Sequence, residues 1–325
     1  MRVDSLSRWA ASPELSAADG HCLSWCNPAH PGYAYPELSG LLLSFLSRAG
    51  HDRRRAERLH RALSADASPD GVRRGSVTYV FDTAMALRGL LEHRDDGKRF
   101  DPPVPDWTAA LVRAVSTERG SDPDDELTSD TRWSMTFGAH QAKIGGALVA
   151  AAQCGVPVAG IGAALSRLRA HTLTLLDEAG RFRIHAASSM TYLHAHCYAL
   201  EGLLMMAEDD PSTGAEVARG VEWLAHTQDA SGGWRAWHDG RHASGPERTD
   251  ATAQAVRLLR LVDADRYRRR IEAAQAFLVR VQGGHPGLPY EPGSADLTSW
   301  STLFAAQALA PAGHPLSPTR SGDLV

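Results

Sequence analysis

The feature that most constrains this chain is a repeat within it. Tyr79-Val80-Phe81-Asp82-Thr83-Ala84-Met85-Ala86-Leu87-Arg88-Gly89-Leu90-Leu91 lines up with Tyr192-Leu193-His194-Ala195-His196-Cys197-Tyr198-Ala199-Leu200-Glu201-Gly202-Leu203-Leu204. Tyr, Ala-Leu and Gly-Leu-Leu fall in the same places, 113 positions apart. Weaker copies run over Tyr35–Phe45, Phe137–Ala150, Thr249–Leu261 and Leu297–Leu309, giving six segments at spacings of about 45–60 residues. Each is rich in small residues and apolar around its circumference, the pattern of a helix buried on all sides. The stretches between them, His51–Ala65, Trp107–Thr117, Ile161–Leu176, Thr213–Thr227 and Tyr267–Gln282, carry many charges with apolar residues at i, i+3, i+4 spacing. Those are amphipathic outer helices. Alternating inner and outer helices describe an all-α (α/α)6 toroid. The outer partner of the sixth pair is the unsettled element, and Ser5–Ala11 is placed to close the ring. We expect one toroid domain over 1–311 and a flexible C-terminal tail over 312–325, with longer loops at Gly240–Gly245 and, acidic in character, at Arg119–Asp130.

Composition narrows the partners. The 325 residues hold 34 Lys+Arg against 38 Asp+Glu, a net charge of −4, so no basic excess is available for a nucleic-acid backbone. No run of 18 apolar residues exists, which excludes a membrane-spanning helix. Met1-Arg2-Val3-Asp4-Ser5 lacks the apolar core of a signal peptide, so the chain reads as cytoplasmic. Four cysteines are too few for a disulfide scaffold. There is no P-loop, no G-x-G-x-x-G after a strand and no G-x-S-x-G elbow, so ATP, NAD and α/β-hydrolase chemistry drop out and no cofactor is expected.

The connections repeat as well. A glycine turn followed by a large apolar residue precedes the inner helices at Gly71-Val72, Gly180-Arg181-Phe182, Gly232-Gly233-Trp234 and Gly287-Leu288-Pro289-Tyr290. Glycine supplies positive φ and the large residue anchors the loop to the ring. Gln228-Asp229-Ala230-Ser231-Gly232-Gly233-Trp234 resembles the Q-x-x-x-G-G-W repeat of squalene cyclases and protein prenyltransferases, and Gln282-Gly283-Gly284 with Gly287 is a degraded copy. The resemblance implies an α/α toroid. It says little about chemistry, because the repeat is structural. Aromatics are only 7% of the chain, which argues against a terpene cyclase.

In such a ring the N-terminal ends of the inner helices converge on one mouth, so polar residues there are the site candidates. These are Glu37, Tyr79, Asp82, His140, His194, His196, Asp250 and Trp300. Asp82 stands in a nearly apolar segment whose repeat partner is Ala195, so the ring itself does not require it. It either serves the helix start or acts as a base. Glu37 follows Pro36 and Asp250 follows Thr249, both also suited to an ordinary N-terminal turn. His194, His196 and Cys197, with His140 and His185, form one conceivable zinc set, and His21-Cys22-x3-Cys26-x3-His30 another. Residues 194 and 196 lie on different helix faces and the second spacing departs from C-x2-C, so no metal is assigned. Arg73, Arg74, Arg132, Arg183 and Arg235 flank the turns as solvated charge or, facing the mouth, as an anion collar.

Tyr79-Val80-Phe81-Asp82-Thr83 is similar to the toroid subunits of the aziridine-forming complexes of azinomycin-type antibiotic biosynthesis. That resemblance implies closure of a three-membered ring by an amine that displaces sulfate on an amino-adipate derivative. It also implies a smaller partner protein and an acidic amino-group carrier protein bearing the substrate. Asp82 would then hold the ammonium and accept its proton. Two other classes remain open. A carbohydrate-active (α/α)6 enzyme (uronyl hydrolase, lyase or epimerase) would use Asp82 with Glu37 or Asp250 as acid and base, with Trp234, Trp237 and Trp300 stacking sugars. A non-catalytic toroid scaffold would expose a large apolar patch.

Overall fold

The computed structural model describes residues 2–50, 52–65, 68–74, 77–94, 99–118, 136–207 and 214–325. Six inner helices form the ring: α2 (Pro36–Ala49), α4 (Val80–His93), α6 (Ile144–Gln153), α8 (Leu193–Met206), α10 (Thr249–Asp263) and α12 (Ser299–Leu309). Each packs against the next and α12 returns to α2. Outside them lie α1 (Arg2–Ala10), α3 (Arg53–Ala65), α5 (Pro103–Thr117), α7 (Ile161–Thr174), α9 (Gly214–His226) and α11 (Arg268–Gln282). The chain is an (α/α)6 toroid, and α1 along α12 completes the outer layer. No helix among the described residues is long and apolar enough to cross a membrane.

The Gly-Leu-Leu signature has a packing cause. A Cβ on Gly40 would overlap the Met85 carbonyl, and one on Gly89 would meet the backbone of Gly40. A Cβ on Gly202 would overlap the backbone of Ala142. Bare glycine therefore lets neighbouring inner helices touch backbone to backbone. The turn signature is equally physical. Gly180 and Gly232 have φ of 90° and 94°, and Phe182 and Trp234 behind them are fully buried. Trp234 Nε1 donates to the Leu224 carbonyl at 2.8 Å. Gln228 Nε2 donates to the carbonyls of Gly232 and Arg270, both at 2.9 Å, tying the turn to the next outer helix. In the fourth turn Leu288 is the buried anchor, while Tyr290 faces the mouth.

Two expectations are corrected. Gly240–Gly245 is part of a hairpin, not an irregular loop: β5 (Arg235–His238) pairs with β6 (Ala243–Glu247) and with β4 (Thr191–Tyr192), while β1 (Trp25–Cys26), and the pair β2 (Arg73–Arg74) and β3 (Val77–Thr78), belong to separate sheets. Its glycine, proline and exposed side chains hide any period-2 signal. Residues 312–325 are not a loose tail. Ser321–Asp323 form a 3-10 turn, and Leu324 and Val325 are fully buried inside the ring. Arg88 Nη2 donates to the Gly322 carbonyl, and Lys143 Nζ to the Val325 carbonyl, both at 2.8 Å. Gln307 Nε2 donates to the Asp323 carbonyl at 2.7 Å. The acidic loop at Arg119–Asp130 lies outside the described residues.

The short strands of the described residues lie in the connections that lead into inner helices. Two more, β7 (Leu288–Pro289) and β8 (Leu297–Thr298), form an antiparallel sheet with β1, in which Trp25 is opposite Thr298 and Cys26 opposite Leu297. That sheet joins the beginning of the ring to its end and positions the rim of the cavity.

Candidate active site

The inner-helix starts enclose a cavity of about 430 Å³, within the range of small-molecule sites. Glu37, Tyr79, Asp82, His140, His194, Asp250 and Trp300 all line it, as the repeat predicts. Asp82, His194, Asp250 and Trp300 arrive by one local logic: a strand ends in extended backbone, the helix starts, and its first turn points inward. Glu37 follows Pro36 in the first turn of α2, where the helix dipole favours a carboxylate, and Trp300 Nε1 donates to its Oε1 at 3.0 Å. Asp82 is in the first turn of α4 and 3% exposed. Asp250 is in the first turn of α10, where its own Oδ1 accepts from Ala251 N at 2.7 Å.

Asp250 and His194 form the titratable centre. His194 Nδ1 lies 3.4 Å from Asp250 Oδ2. Burial pushes the Asp250 carboxyl up to about 6, against the pull of the Ala251 N–H and of Arg248. Burial, with the charges of Lys143, His140 and Arg257, takes His194 down to about 3. At neutral pH the contact is therefore one between a neutral imidazole and a carboxyl group close to its own titration point. His140 sits beside them in the 3-10 turn Ala139–Lys143, its Nε2 3.0 Å from Gln141 Nε2 and its ring 5.6 Å from that of Phe81.

His196 does not join the site. Its Nδ1 accepts from Phe182 N at 3.2 Å, its Nε2 reaches the Gly220 carbonyl at 3.2 Å, and its ring packs 4.6 Å from Trp223. Two residues along a helix turn a side chain by some 200°, so His194 faces the cavity and His196 faces α9. Among the described residues no group of three or more His, Cys, Asp or Glu is placed to hold a metal ion. In the other conceivable set His21 is buried and His30 exposed, and His21 Nδ1 is 3.0 Å from Ser39 Oγ. Trp234 is structural, and Trp237 stacks 4.6 Å from Tyr192 behind the wall.

Among the described residues no arginine collar lines the mouth. Arg183 donates to the carbonyls of Ala186 and Thr174, Arg235 pairs with Asp229 at 3.0 Å, and Arg73 is exposed. Arg132 and the side chain of Arg74 lie outside the described residues. No Lys or Arg appears among the described lining residues, whereas Glu37, Asp82, Asp250 and Asp296 all do. Arg248, beside the lining residue Asp250, is engaged by Glu291 at 2.5 Å and by the Tyr290 ring at 4.1 Å.

Composition misled on the walls. Aromatics are 7% of the chain, yet six of its seven tyrosines line this one cavity, with Trp25, Phe81 and Trp300. Sequence reasoning missed Trp25, Tyr33, Tyr35, Phe81, Tyr192, Tyr198, Tyr290 and Asp296 as site residues. A signal was present in part: Tyr35, Tyr79 and Tyr192 each stand immediately before an inner helix.

Neither protein families nor curated proteins give a match to the chain. Solved structures do. It is similar to cellobiose 2-epimerase from Bacillus thermoamylovorans B4167, with a TM-score of 0.70 at 8% identity over 91% of this chain and 94% of that one. It is similar to an unsaturated glucuronyl hydrolase specific for heparin, with a TM-score of 0.68 at 14% identity over 95% and 94%. It also matches ent-copalyl diphosphate synthase from Streptomyces platensis, with a TM-score of 0.59 at 18% identity over 86% of this chain, but spans only 52% of the synthase. At these identities the likeness establishes the toroid fold.

Proposed function

We propose that this toroid is an acid–base enzyme acting on a carbohydrate-like substrate held in the cavity. The observation that carries the reading is the convergence of Glu37, Asp82 and Asp250, from three different inner helices, between aromatic walls. Asp250, titrating at about 6, supplies the proton near neutral pH, and Asp82 is the carboxylate partner. Glu37 is oriented by Trp300. Tyrosine and tryptophan faces stack the apolar faces of a sugar. An epimerase and a glucuronyl hydrolase that align along nearly their whole length support the choice.

Aziridine formation is the second reading. The acidic lining, with no Lys or Arg among its described residues, favours it, because carboxylates and π faces suit an ammonium group. Asp82 would be the base, and the smaller partner and the acidic carrier protein belong to this proposal. The same lining offers no cation to receive departing sulfate, so the partner would have to supply it. For this reason we place it second.

One assay separates the two. Wild type, Asp82→Asn and Asp250→Asn are incubated in D2O with cellobiose, with unsaturated uronyl disaccharides and with ethanolamine O-sulfate, and products are followed by NMR. The carbohydrate reading expects hydrolysis or deuterium exchange on a sugar, lost by about 10²–10⁴-fold in Asp250→Asn. Aziridine from the sulfate ester, with every sugar inert, would reverse the ranking.

A further inference from the structure

The hydroxyl of Tyr198 has no function under either account. Tyr198, on α8, is 1% exposed and lines the cavity, and its hydroxyl oxygen has no hydrogen-bond partner among the described residues. Buried hydroxyls are normally satisfied, so an exception at the floor of a cavity calls for an explanation. The ring cannot swing to find a partner. It is held edge-on against His194 at 4.3 Å and packed 5.1 Å from Phe81, and Lys143 Nζ lies 4.6 Å from the ring centre. Lys143 is itself fixed by Glu201 at 2.7 Å. Phenylalanine would fill the same space: Phe304, 6.4 Å away in the same stack, does so from α12. The hydroxyl is thus an addition that packing does not need.

We infer that Tyr198 is a substrate-contacting residue whose hydroxyl donates a hydrogen bond to an oxygen of the bound substrate at the cavity floor. The inference rests on the carbohydrate reading for the identity of that oxygen, a hydroxyl, ring or carbonyl oxygen. The charged and titratable groups around the ring are Lys143, Arg257, Glu201, Glu37, Asp250 and His194. Burial, with the carboxylates of Glu37, Glu201 and Asp250, keeps the phenol protonated well above its usual range, so it acts as a donor throughout neutral pH.

The test is Tyr198→Phe in the full-length chain, with thermal melting of the free protein beside NMR titrations of D-glucose and of ethanolamine O-sulfate. The expected result is a melting temperature equal to or above wild type and an affinity for glucose weakened about tenfold, the effect of one lost hydrogen bond. A melting temperature lowered by several degrees would mean the hydroxyl has a structural partner, and overturns the inference. Unchanged glucose affinity overturns it while leaving the carbohydrate reading intact. Glucose unbound by wild type, with ethanolamine O-sulfate bound and weakened in the variant, overturns the carbohydrate reading and upholds Tyr198 as a substrate contact. If wild type binds neither probe, both fall.

Discussion

The same inner helices carry two buried polar layers of opposite design. At the mouth stand Asp82, His194, Asp250 and Trp300. Six or seven residues further along the same helices, about 10 Å deeper, stand Arg88, Glu201, Arg257 and Gln307. In the deep layer the charges answer one another. Glu201 accepts from Lys143 at 2.7 Å and Arg257 at 2.5 Å, Arg257 also reaches Gln307 at 2.7 Å, and Arg88 reaches Glu92 at 2.7 Å. Further donors close on the backbone of residues 322–325 and Arg88 Nη1 on Met205 Sδ, while Arg257 Nε has no hydrogen-bond partner among the described residues. The mouth layer instead gathers carboxylates with no lining cation among the described residues, beside a neutral histidine and a phenol whose hydroxyl is left over. Burial of polar groups is common to both layers. What differs is how far the protein's own opposite charges answer them.

The largest expected effect is in the deep layer. Glu201→Ala leaves Lys143 and Arg257, both fully buried, without their shared counter-ion. Uncompensated charges of that kind cost about 3–5 kcal/mol. Denaturant unfolding should show that loss, with the melting temperature falling on the order of 10 °C. A cost below about 1 kcal/mol would break the comparison, because it would mean the ring closes without this cluster.

The mouth layer should respond in the opposite sense. The folded-state pKa of Asp250 is raised from 3.8 to about 6. Its protonated form is thus favoured by folding: that stability is complete below pH ~4 and is lost as pH rises through 6. At pH 7.5 the ionised carboxyl therefore opposes folding by about 3 kcal/mol. Asp250→Asn should be more stable than wild type at pH 7.5, and the gain should vanish toward pH 4. His194 and His196, both lowered to about 3 by burial, have the reverse dependence: their contribution is full above pH ~6.5 and fades on acidification. Both are lowered to about 3, well below Asp250, so the change in the variant's advantage around pH 6 reports Asp250. Equal stability at both pH values would remove it from the role of proton donor.

How much of this was legible follows from the physics of each element. The inner helices were readable because a helix buried on every side must be small and apolar throughout, and Gly40, Gly89 and Gly202 mark their crossings. The mouth residues were readable because a repeat fixes where each helix starts. The deep layer was not. Glu201 and Arg257 look like ordinary helix charges, and only the fold sets them face to face. Nor was the packed C-terminal segment, since Gly322, Asp323 and Val325 are held through main-chain oxygens that no side-chain pattern encodes. The aromatic walls escaped for another reason: a chain-wide percentage carries no information about where six tyrosines meet.

The two histidines of α8 give the smallest expected effect and the sharpest control, because they share a helix, a residue type and a depressed pKa yet face opposite ways. His196 is held by Phe182 N and the Gly220 carbonyl, and its ring fills the space between α8 and α9. Removing it forfeits two modest hydrogen bonds and leaves a void, so His196→Ala should cost about 2 kcal/mol of stability. Binding of the sugar or amine-sulfate probe should be unaffected. His194 borders an existing cavity, so truncating it enlarges a space already open to ligand. His194→Ala should therefore change stability by less than about 1 kcal/mol and weaken the probe at least tenfold. Paired melting and titration curves for the two variants read both quantities. If His196→Ala weakened the probe as much as His194→Ala, a histidine outside the cavity would be controlling what happens inside it, and the division between site and scaffold on this helix would have to be redrawn.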